Sequence, residues 1–167
     1  MPRNLISLQD MMMAQLAEVC LLEIGTSIRF ISFRSDACTP LLLNFYTSYL
    51  LNYKNFTTNK ILPLCPALTG KKHYMIDAVI EENKPVLEAT ATKSLVRDCV
   101  LLFTTLKILH LHTGYYQNFF NVLSTLKNDR ALDYAAKAID DKLQQIDFLD
   151  RLGQEFLLPA IAKGLAL

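Results

Sequence analysis

The stretch that decides the fold runs from Leu95 to His112 and reads LVRDCVLLFTTLKILHLH. Its main apolar row follows the alternating four- and three-residue spacing of one helix face: Leu95, Cys99, Leu102, Leu106 and Leu109. A second apolar row lies beside the first: Val96, Val100 and Phe103. A helix that is apolar over so much of its circumference must be enclosed by other helices or by a membrane.

Enclosure by protein is the better interpretation of this stretch. A membrane span needs about 20 consecutive apolar residues, whereas Arg97, Asp98 and Lys107 interrupt this one. The sequence therefore predicts no membrane span, and it predicts that Leu95–Leu111 is the innermost helix of a globular protein.

The composition fits one domain with a generous supply of apolar residues. The chain has 167 residues, of which 51% are hydrophobic and 20% are charged, which excludes wholesale disorder. We expect a single helical domain over residues 1–167. The apolar surplus is explained equally well by a large core or by a surface that covers a partner, a ligand cavity or a dimer interface.

The charge and the cysteine content of the chain indicate which partners and which cellular compartment to expect. The 17 basic and 16 acidic residues are interspersed and give a net charge of +1, so the sequence predicts no electrostatic binding to nucleic acid. The four cysteines form no CxxC pair, and no secretory signal precedes them: Cys20, Cys38, Cys65 and Cys99. We expect a reducing, cytoplasmic location.

The first half of the chain predicts three helices and a long connection. Ser7 caps a helix that Gly25 ends, and Thr26–Arg34 is an ambiguous segment interpreted as a short separate helix. Thr39 and Pro40 begin the next helix, which runs to about Tyr53. Residues 55–70 form the longest irregular connection.

The second half predicts further helices in close succession. A short helix covers residues 72–83, Pro85 begins the central helix, and Gly114 ends it before a helix over residues 115–126. Asn128 or Asp129 caps an amphipathic helix with an apolar seam at Leu132, Ala136, Ile139, Leu143 and Ile146. A last helix follows Gly153 and is kinked or ended by Pro159. The prediction is an all-α, single-domain, orthogonal or bundle-like fold of about six to eight helices around a buried apolar central helix.

No catalytic motif is present, which favours a protein that is not an enzyme. The sequence contains no GxSxG, Walker or GxGxxG pattern, and the acidic pairs at 81–82 and 140–141 fall on predicted solvent faces. An active site assembled from distant residues stays open.

The two neighbouring histidines do not predict a metal site. His110 and His112 lie about 200° apart on a helix, so they cannot chelate one ion, and we expect no metal. We expect no cofactor either, although His110 remains a candidate axial ligand for haem because one such ligand needs no spacing rule.

Aromatic residues provide the best candidate surface. One group is Phe45, Tyr46, Tyr49, Tyr53 and Phe56, and the other is Tyr115, Tyr116, Phe119 and Phe120. Tyrosine combines an apolar body with a polar tip, which suits interfaces and pocket walls, while core packing explains the phenylalanines equally well. We predict that the partner-binding residues are Tyr46, Tyr49, Tyr53, Tyr115 and Tyr116, and that the stripe from Tyr46 to Tyr53 is partly accessible.

Two classes of function are consistent with these patterns. The first is a non-enzymatic protein-interaction module, such as an adaptor, a secretion-type chaperone or an effector subunit, which binds a protein partner or forms a homodimer. The alternative is a helical bundle that binds a small molecule, a lipid or haem between its helices.

Overall fold

Long helices account for nearly all of the described chain. The computed structural model describes residues 7–56 and 73–164, without the side chains of residues 54–56, and these ranges contain no strand. The helices are α1 (Leu8–Asp36), α2 (Pro40–Phe56), α3 (Tyr74–Ala89), α4 (Leu95–Leu126), α5 (Asp129–Arg151) and α6 (Leu158–Ala162), with a π turn (Leu152–Leu157) before α6. The all-α prediction is confirmed. From residue 57 onward the predicted connection, including Cys65, lies outside the described residues.

With the π turn and α6 taken as a continuation of α5, the described ranges contain five helices where six to eight were predicted, because two glycines do not end helices. Gly25 lies inside α1, which absorbs Thr26–Arg34, and Gly114 lies inside the 32-residue α4. A glycine inside a helix costs only about 1 kcal/mol. Burial of a large apolar side chain contributes about 1.5–3 kcal/mol, and buried aromatic residues such as Phe30 and Tyr116 follow each glycine.

The predicted start of the central helix at Pro85 is also wrong. Pro85 lies inside α3, and α4 begins only at Leu95, where the side chain of Ser94 accepts a hydrogen bond from the backbone N–H of Arg97 at 3.2 Å. Capping by Ser94 satisfies a backbone donor that the new helix leaves free. The proline therefore interrupts the local hydrogen bonding of α3 without setting the boundary.

The chain stays helical through Gly153, where the sequence predicted that one helix ends and the last one begins. A Cβ atom at this position would lie 3.4 Å from Leu102 Cδ2, which is contact distance, so α4 packs directly against this residue. The wide π turn then leads to Pro159 in the first turn of α6. A proline ring clashes with the carbonyl four residues earlier in a regular helix, and a widened turn relieves that clash.

The central position predicted for α4 agrees with its contacts and burial. This helix packs against α1, α3, α5 and the C-terminal segment. Five of its apolar side chains are completely buried: Leu101, Leu102, Ile108, Leu109 and Leu123. The second predicted apolar row is not enclosed, because Val96 and Phe103 are exposed. None of the described helices is long and apolar enough to cross a membrane.

The seam predicted for α5 is rotated away from the true buried face. Ala136 and Leu143 are exposed, whereas the buried positions are Ala135, Ala138, Lys142, Ile146 and Leu149. The predicted seam did not include Lys142, whose ammonium group lies in the interior. The buried face of α5 is thus offset by one residue from the predicted seam, and it includes Lys142, a member of an interior ion pair.

A buried carboxylate fixes the corner between α1 and α2. Asp98 on α4 is fully buried and accepts hydrogen bonds from the backbone N–H groups of Cys38 at 3.0 Å and Thr39 at 2.6 Å. These donors precede α2, which begins at Pro40 as predicted. The carboxylate therefore holds the start of α2 against the central helix.

Candidate functional site

A cleft of about 610 Å³ opens to solvent between α2 and α5. The side chains that line it come from four helices: Glu23 from α1, Phe45, Tyr49, Asn52 and Tyr53 from α2, Tyr116 from α4, and Tyr134, Lys137, Ala138, Asp141, Lys142, Gln144, Gln145 and Phe148 from α5. The deepest residues are buried and the rim residues are exposed. The cleft therefore connects the interior of the protein to solvent.

Glu23 lies at the floor of this cleft, where side chains from several helices contact its carboxylate. Its Oε1 atom lies 3.0 Å from Lys142 Nζ and accepts a hydrogen bond from Tyr116 Oη at 2.9 Å. Its Oε2 atom accepts a hydrogen bond from Tyr49 Oη at 2.8 Å. The side chain is only 7% exposed. Residues from α2, α4 and α5 thus surround one carboxylate on α1.

Lys142 provides the positive charge in this cluster. Besides its ion pair with Glu23, Lys142 Nζ donates a hydrogen bond to Tyr49 Oη at 3.0 Å. The same ammonium group lies 4.5 Å from the centroid of the Tyr49 ring. Ion pairing, hydrogen bonding and the cation–π contact together offset the cost of removing this charge from water.

His112 extends the network away from the cleft. Its Nδ1 atom lies 3.2 Å from Glu23 Oε1, and its Nε2 atom lies 2.7 Å from Thr26 Oγ1. Desolvation lowers the pKa of His112 to about 4, and the charge of Lys142 acts in the same direction. The imidazole is therefore neutral near pH 7.

Glu23 is ionised despite its burial. Desolvation by itself would raise its pKa, but the opposite charge of Lys142 and the contacts with His112 and Lys142 hold the pKa well below its usual value. The pKa values of the Tyr49 and Tyr116 hydroxyls are raised, chiefly by burial and then by the charge of Glu23, so both remain protonated donors. The cluster contains one negative and one positive charge.

The order Thr26, His112, Glu23 places a hydroxyl, an imidazole and a carboxylate in sequence, as in a nucleophilic triad. Thr26 is 0% exposed and does not line the cleft, however. A substrate in the cleft would meet Tyr49 and Lys142 rather than this hydroxyl. The arrangement is therefore suited to binding and to fixing side-chain orientation.

The predicted accessibility of the tyrosine stripe is wrong for two of its members. Tyr46 and Tyr49 are 0% and 5% exposed, because their rings pack edge-on against Phe30 from α1, with centroids at 5.1 and 4.7 Å. Tyr116 is also buried, whereas Tyr53 and Tyr115 are partly exposed. Three of the five residues, Tyr49, Tyr53 and Tyr116, meet at the cleft. Their role in binding a partner stays a prediction.

The two histidines face opposite sides of α4, as their spacing predicted. His110 is exposed and is not among the residues that line the cleft, whereas His112 is fully buried. Both histidines lie in the interior of α4, because this helix passes Gly114, its predicted end, and continues to Leu126. His110 is thus placed outside the cleft, and its role as a haem ligand stays a prediction.

Sequence reasoning missed Glu23 and Lys142, which form the centre of the cluster. Each residue lies on an apolar helix face, four positions after Val19 and Ala138 respectively. A charged residue on such a face signals an interior partner. The sequence contains this signal, but it does not indicate which distant charge is the partner.

Comparisons with known proteins support the fold alone. The structure is similar to that of a Rhodopseudomonas palustris protein described as "YcfI, a putative structural protein", with a TM-score of 0.76 and 16% sequence identity. The match covers 90% of this chain and 97% of that one. No protein-family model and no curated protein sequence matches the chain. The shared architecture is an all-helical bundle.

Proposed function

We propose that this protein binds a small organic molecule in the cleft between α2 and α5. The observation that carries the proposal is the ion pair of Glu23 and Lys142 at the cleft floor, together with the hydroxyls of Tyr49 and Tyr116 that donate to Glu23. This is the second of the two function classes that the sequence left open, and it gives three of the five predicted tyrosines, Tyr49, Tyr53 and Tyr116, a role as pocket walls.

The energetics of the cluster favour a role beyond stability. Apolar residues of similar volume in place of a buried ion pair often leave a protein equally stable or make it more stable. Titratable groups whose pKa values are strongly shifted, when they line a concave site, are typical of ligand-binding and active sites. The Glu23 carboxylate fits this description.

The dimensions and lining of the cleft also suit a ligand. Pockets for small molecules commonly have volumes of about 300–1,000 Å³ and aromatic walls with a few polar groups, and the present cleft of about 610 Å³ falls within that range. Six of its lining residues are aromatic: Phe45, Tyr49, Tyr53, Tyr116, Tyr134 and Phe148.

A thermal-shift screen with a library of small organic molecules tests the proposal. Ligands of the cleft should raise the melting temperature of the unmodified protein by mass action. They should lose this effect in Ala138→Leu, because the larger side chain fills the cleft. Ala136→Leu is the matched control, since Ala136 is exposed on the same helix and does not line the cleft.

The two variants separate cleft binding from adsorption elsewhere. Ligands that stabilise the unmodified protein and Ala136→Leu, but not a folded Ala138→Leu, support the proposal. A library without stabilising compounds, or with compounds that stabilise all three proteins equally, overturns it. Circular dichroism establishes that Ala138→Leu is folded, and Asn52→Trp, which changes an exposed cleft residue, serves if it is not.

A second candidate function is protein interaction, as an adaptor, chaperone or effector subunit in the cytoplasm. It is favoured by exposed apolar side chains on three helices: Ile28 and Ile31 on α1, Leu41 and Leu51 on α2, and Val96 and Phe103 on α4. Large exposed apolar patches commonly mark interaction sites. Light scattering tests for a homodimer, which Ile28→Asp combined with Ile31→Asp should dissociate if α1 forms the interface. A monomer at all concentrations that captures no protein partner counts against this function.

A further inference from the structure

We infer that the cleft selects an uncharged, planar aromatic molecule that carries a hydroxyl group. The inference rests on the proposed function and adds the chemical class of the ligand. Three features carry it: the charge balance of the cleft, the paired donor and acceptor at its floor, and its aromatic walls.

The ionisable side chains of the cleft balance each other. Glu23 and Lys142 form a pair at the floor, and the rim carries Asp141 and Lys137. A ligand carboxylate would add a second anion beside Glu23, and a ligand ammonium would compete with Lys142 for the same oxygens. Because an uncompensated charge is expensive to bury, the cleft favours an uncharged ligand.

The floor presents a hydrogen-bond donor and an acceptor side by side. Lys142 Nζ has three hydrogens, and its described partners, Glu23 Oε1 and Tyr49 Oη, use two of them. Glu23 Oε2 accepts one described hydrogen bond, from Tyr49, and a carboxylate oxygen can accept two. A hydroxyl group satisfies both positions, since it accepts from the ammonium and donates to the carboxylate.

Another acceptor in the lining has no partner among the described residues. Gln145 Oε1 is buried and receives no hydrogen bond from the described residues. A buried acceptor without a donor costs free energy. A second hydroxyl or an N–H group on the ligand would satisfy it.

The walls favour a flat aromatic body. Phe45 from α2 and Phe148 from α5 stack with their ring planes 10° apart and their centroids 6.2 Å apart, so the two walls meet through parallel rings. Tyr53 and Tyr134 extend the aromatic lining along α2 and α5. Offset stacking between aromatic rings adds to the burial of apolar area.

Four naphthalene derivatives of similar size test the inference on the 167-residue chain. They are 2-naphthol, naphthalene, 2-naphthoate and 2-naphthylmethylammonium, and their dissociation constants are measured by ligand-observed NMR titration at neutral pH. We expect 2-naphthol to bind about tenfold more tightly than each of the others, the difference that one or two well-placed hydrogen bonds provide. Ala138→Leu should abolish binding of 2-naphthol, and Ala136→Leu should preserve it.

The outcomes distinguish the class of ligand from the existence of the site. If naphthoate or the ammonium compound binds more tightly, or if naphthalene binds as tightly as 2-naphthol, the inference is overturned while a binding site sensitive to Ala138→Leu remains. If no compound shows binding that Ala138→Leu removes, the inference is overturned, and the library screen then decides the proposed function separately. In the double variant Glu23→Gln, Lys142→Met, the preference for 2-naphthol over naphthalene should vanish, and a preference that survives contradicts the assigned contacts.

Discussion

Glu23 and Lys142 depend on each other for their positions in the interior. Each side chain is less than one tenth exposed, and the two terminal groups are 3.0 Å apart. Removal of one partner leaves the other as an uncompensated buried charge. The pair should therefore show strong energetic coupling.

Substitution of Lys142 by Met should lower the free energy of unfolding by about 3–5 kcal/mol, because Glu23 loses its counter-charge. The double variant Glu23→Gln, Lys142→Met should recover a large part of this loss. Lys137→Met is the control, since Lys137 is exposed on the same helix and should change stability by less than about 0.5 kcal/mol. Urea unfolding measures all three variants. A double variant no more stable than Lys142→Met would contradict the coupling.

His112 should make stability depend on pH between about 6.5 and 4. Burial lowers its pKa from 6.5 to about 4, so the unfolded chain binds a proton at a higher pH than the folded chain does. The free energy of unfolding should therefore be greatest above pH 6.5 and fall as the pH falls towards 4. The pKa of Glu23 is lowered as well, so its contribution is present above about pH 4.5 and is lost below that.

Comparison with His112→Gln isolates this dependence. Urea unfolding at several pH values from 7.5 to 4.5 should give a smaller pH slope for the variant than for the unmodified protein. His73, whose pKa is also lowered by burial, contributes a slope of the same sign to both proteins and cancels in the comparison. Equal slopes would show that His112 is not neutral and buried as described.

At the scale of helices, the lengths of α1 and α4 depend on tertiary packing. Both continue through a glycine that the sequence pattern treated as a helix end, Gly25 and Gly114. A Cβ at Gly25 would make ordinary contacts with His73 and Ile76, and a Cβ at Gly114 would have no neighbour within 4 Å. Gly114 is therefore an unstrained, exposed position in a helix interior.

Gly114→Ala should raise the free energy of unfolding by about 0.5–1 kcal/mol, because alanine reduces the conformational freedom of the unfolded chain and fits the helix without strain. Thermal unfolding followed by circular dichroism measures the effect. Gly164→Ala is the control, since φ at Gly164 is +67° and a side chain there is strained, so no gain is expected. A destabilised Gly114→Ala would indicate that α4 breaks at this residue.

At the scale of the molecule, α1 and α4 connect two groups of buried side chains. The larger group includes Phe30 from α1 and Leu102 from α4, and the smaller includes Val19 from α1 and Phe119 from α4. The Glu23 cluster occupies positions on the same two helices between them. Because both helices pass through both groups, the two halves of the core cannot separate without breaking a helix.

We therefore expect the predicted single domain to unfold in one cooperative transition. Far-ultraviolet circular dichroism should report loss of helix, and tyrosine near-ultraviolet signals should report loss of packing around Tyr46, Tyr49 and Tyr116, which are buried. The two urea transitions should coincide. Separate midpoints would indicate that the two parts of the core unfold independently.

Local sequence signals predicted the helix class and most boundaries that depend on a cap. Ser7 accepts a hydrogen bond from the backbone N–H of Asp10 at 3.1 Å, and Asn128 accepts one from Ala131 at 3.2 Å, both as the capping patterns indicated. The buried apolar row of α4 followed from its periodicity. These features follow from residues that lie no more than four positions apart, and such local patterns can be read from the sequence.

Only the tertiary structure decided which predicted helices join into one continuous helix and which polar residues are buried. Gly25 and Gly114 remain helical because distant side chains pack on both sides of them, and Tyr49 is buried because Phe30 and Lys142 cover it. The pairing of Glu23 with Lys142 joins α1 to α5, and no local pattern specifies a partner so far along the chain. The sequence by itself therefore determined an all-helical chain, whereas the three-dimensional packing turned the predicted tyrosine surface into the wall of a cleft.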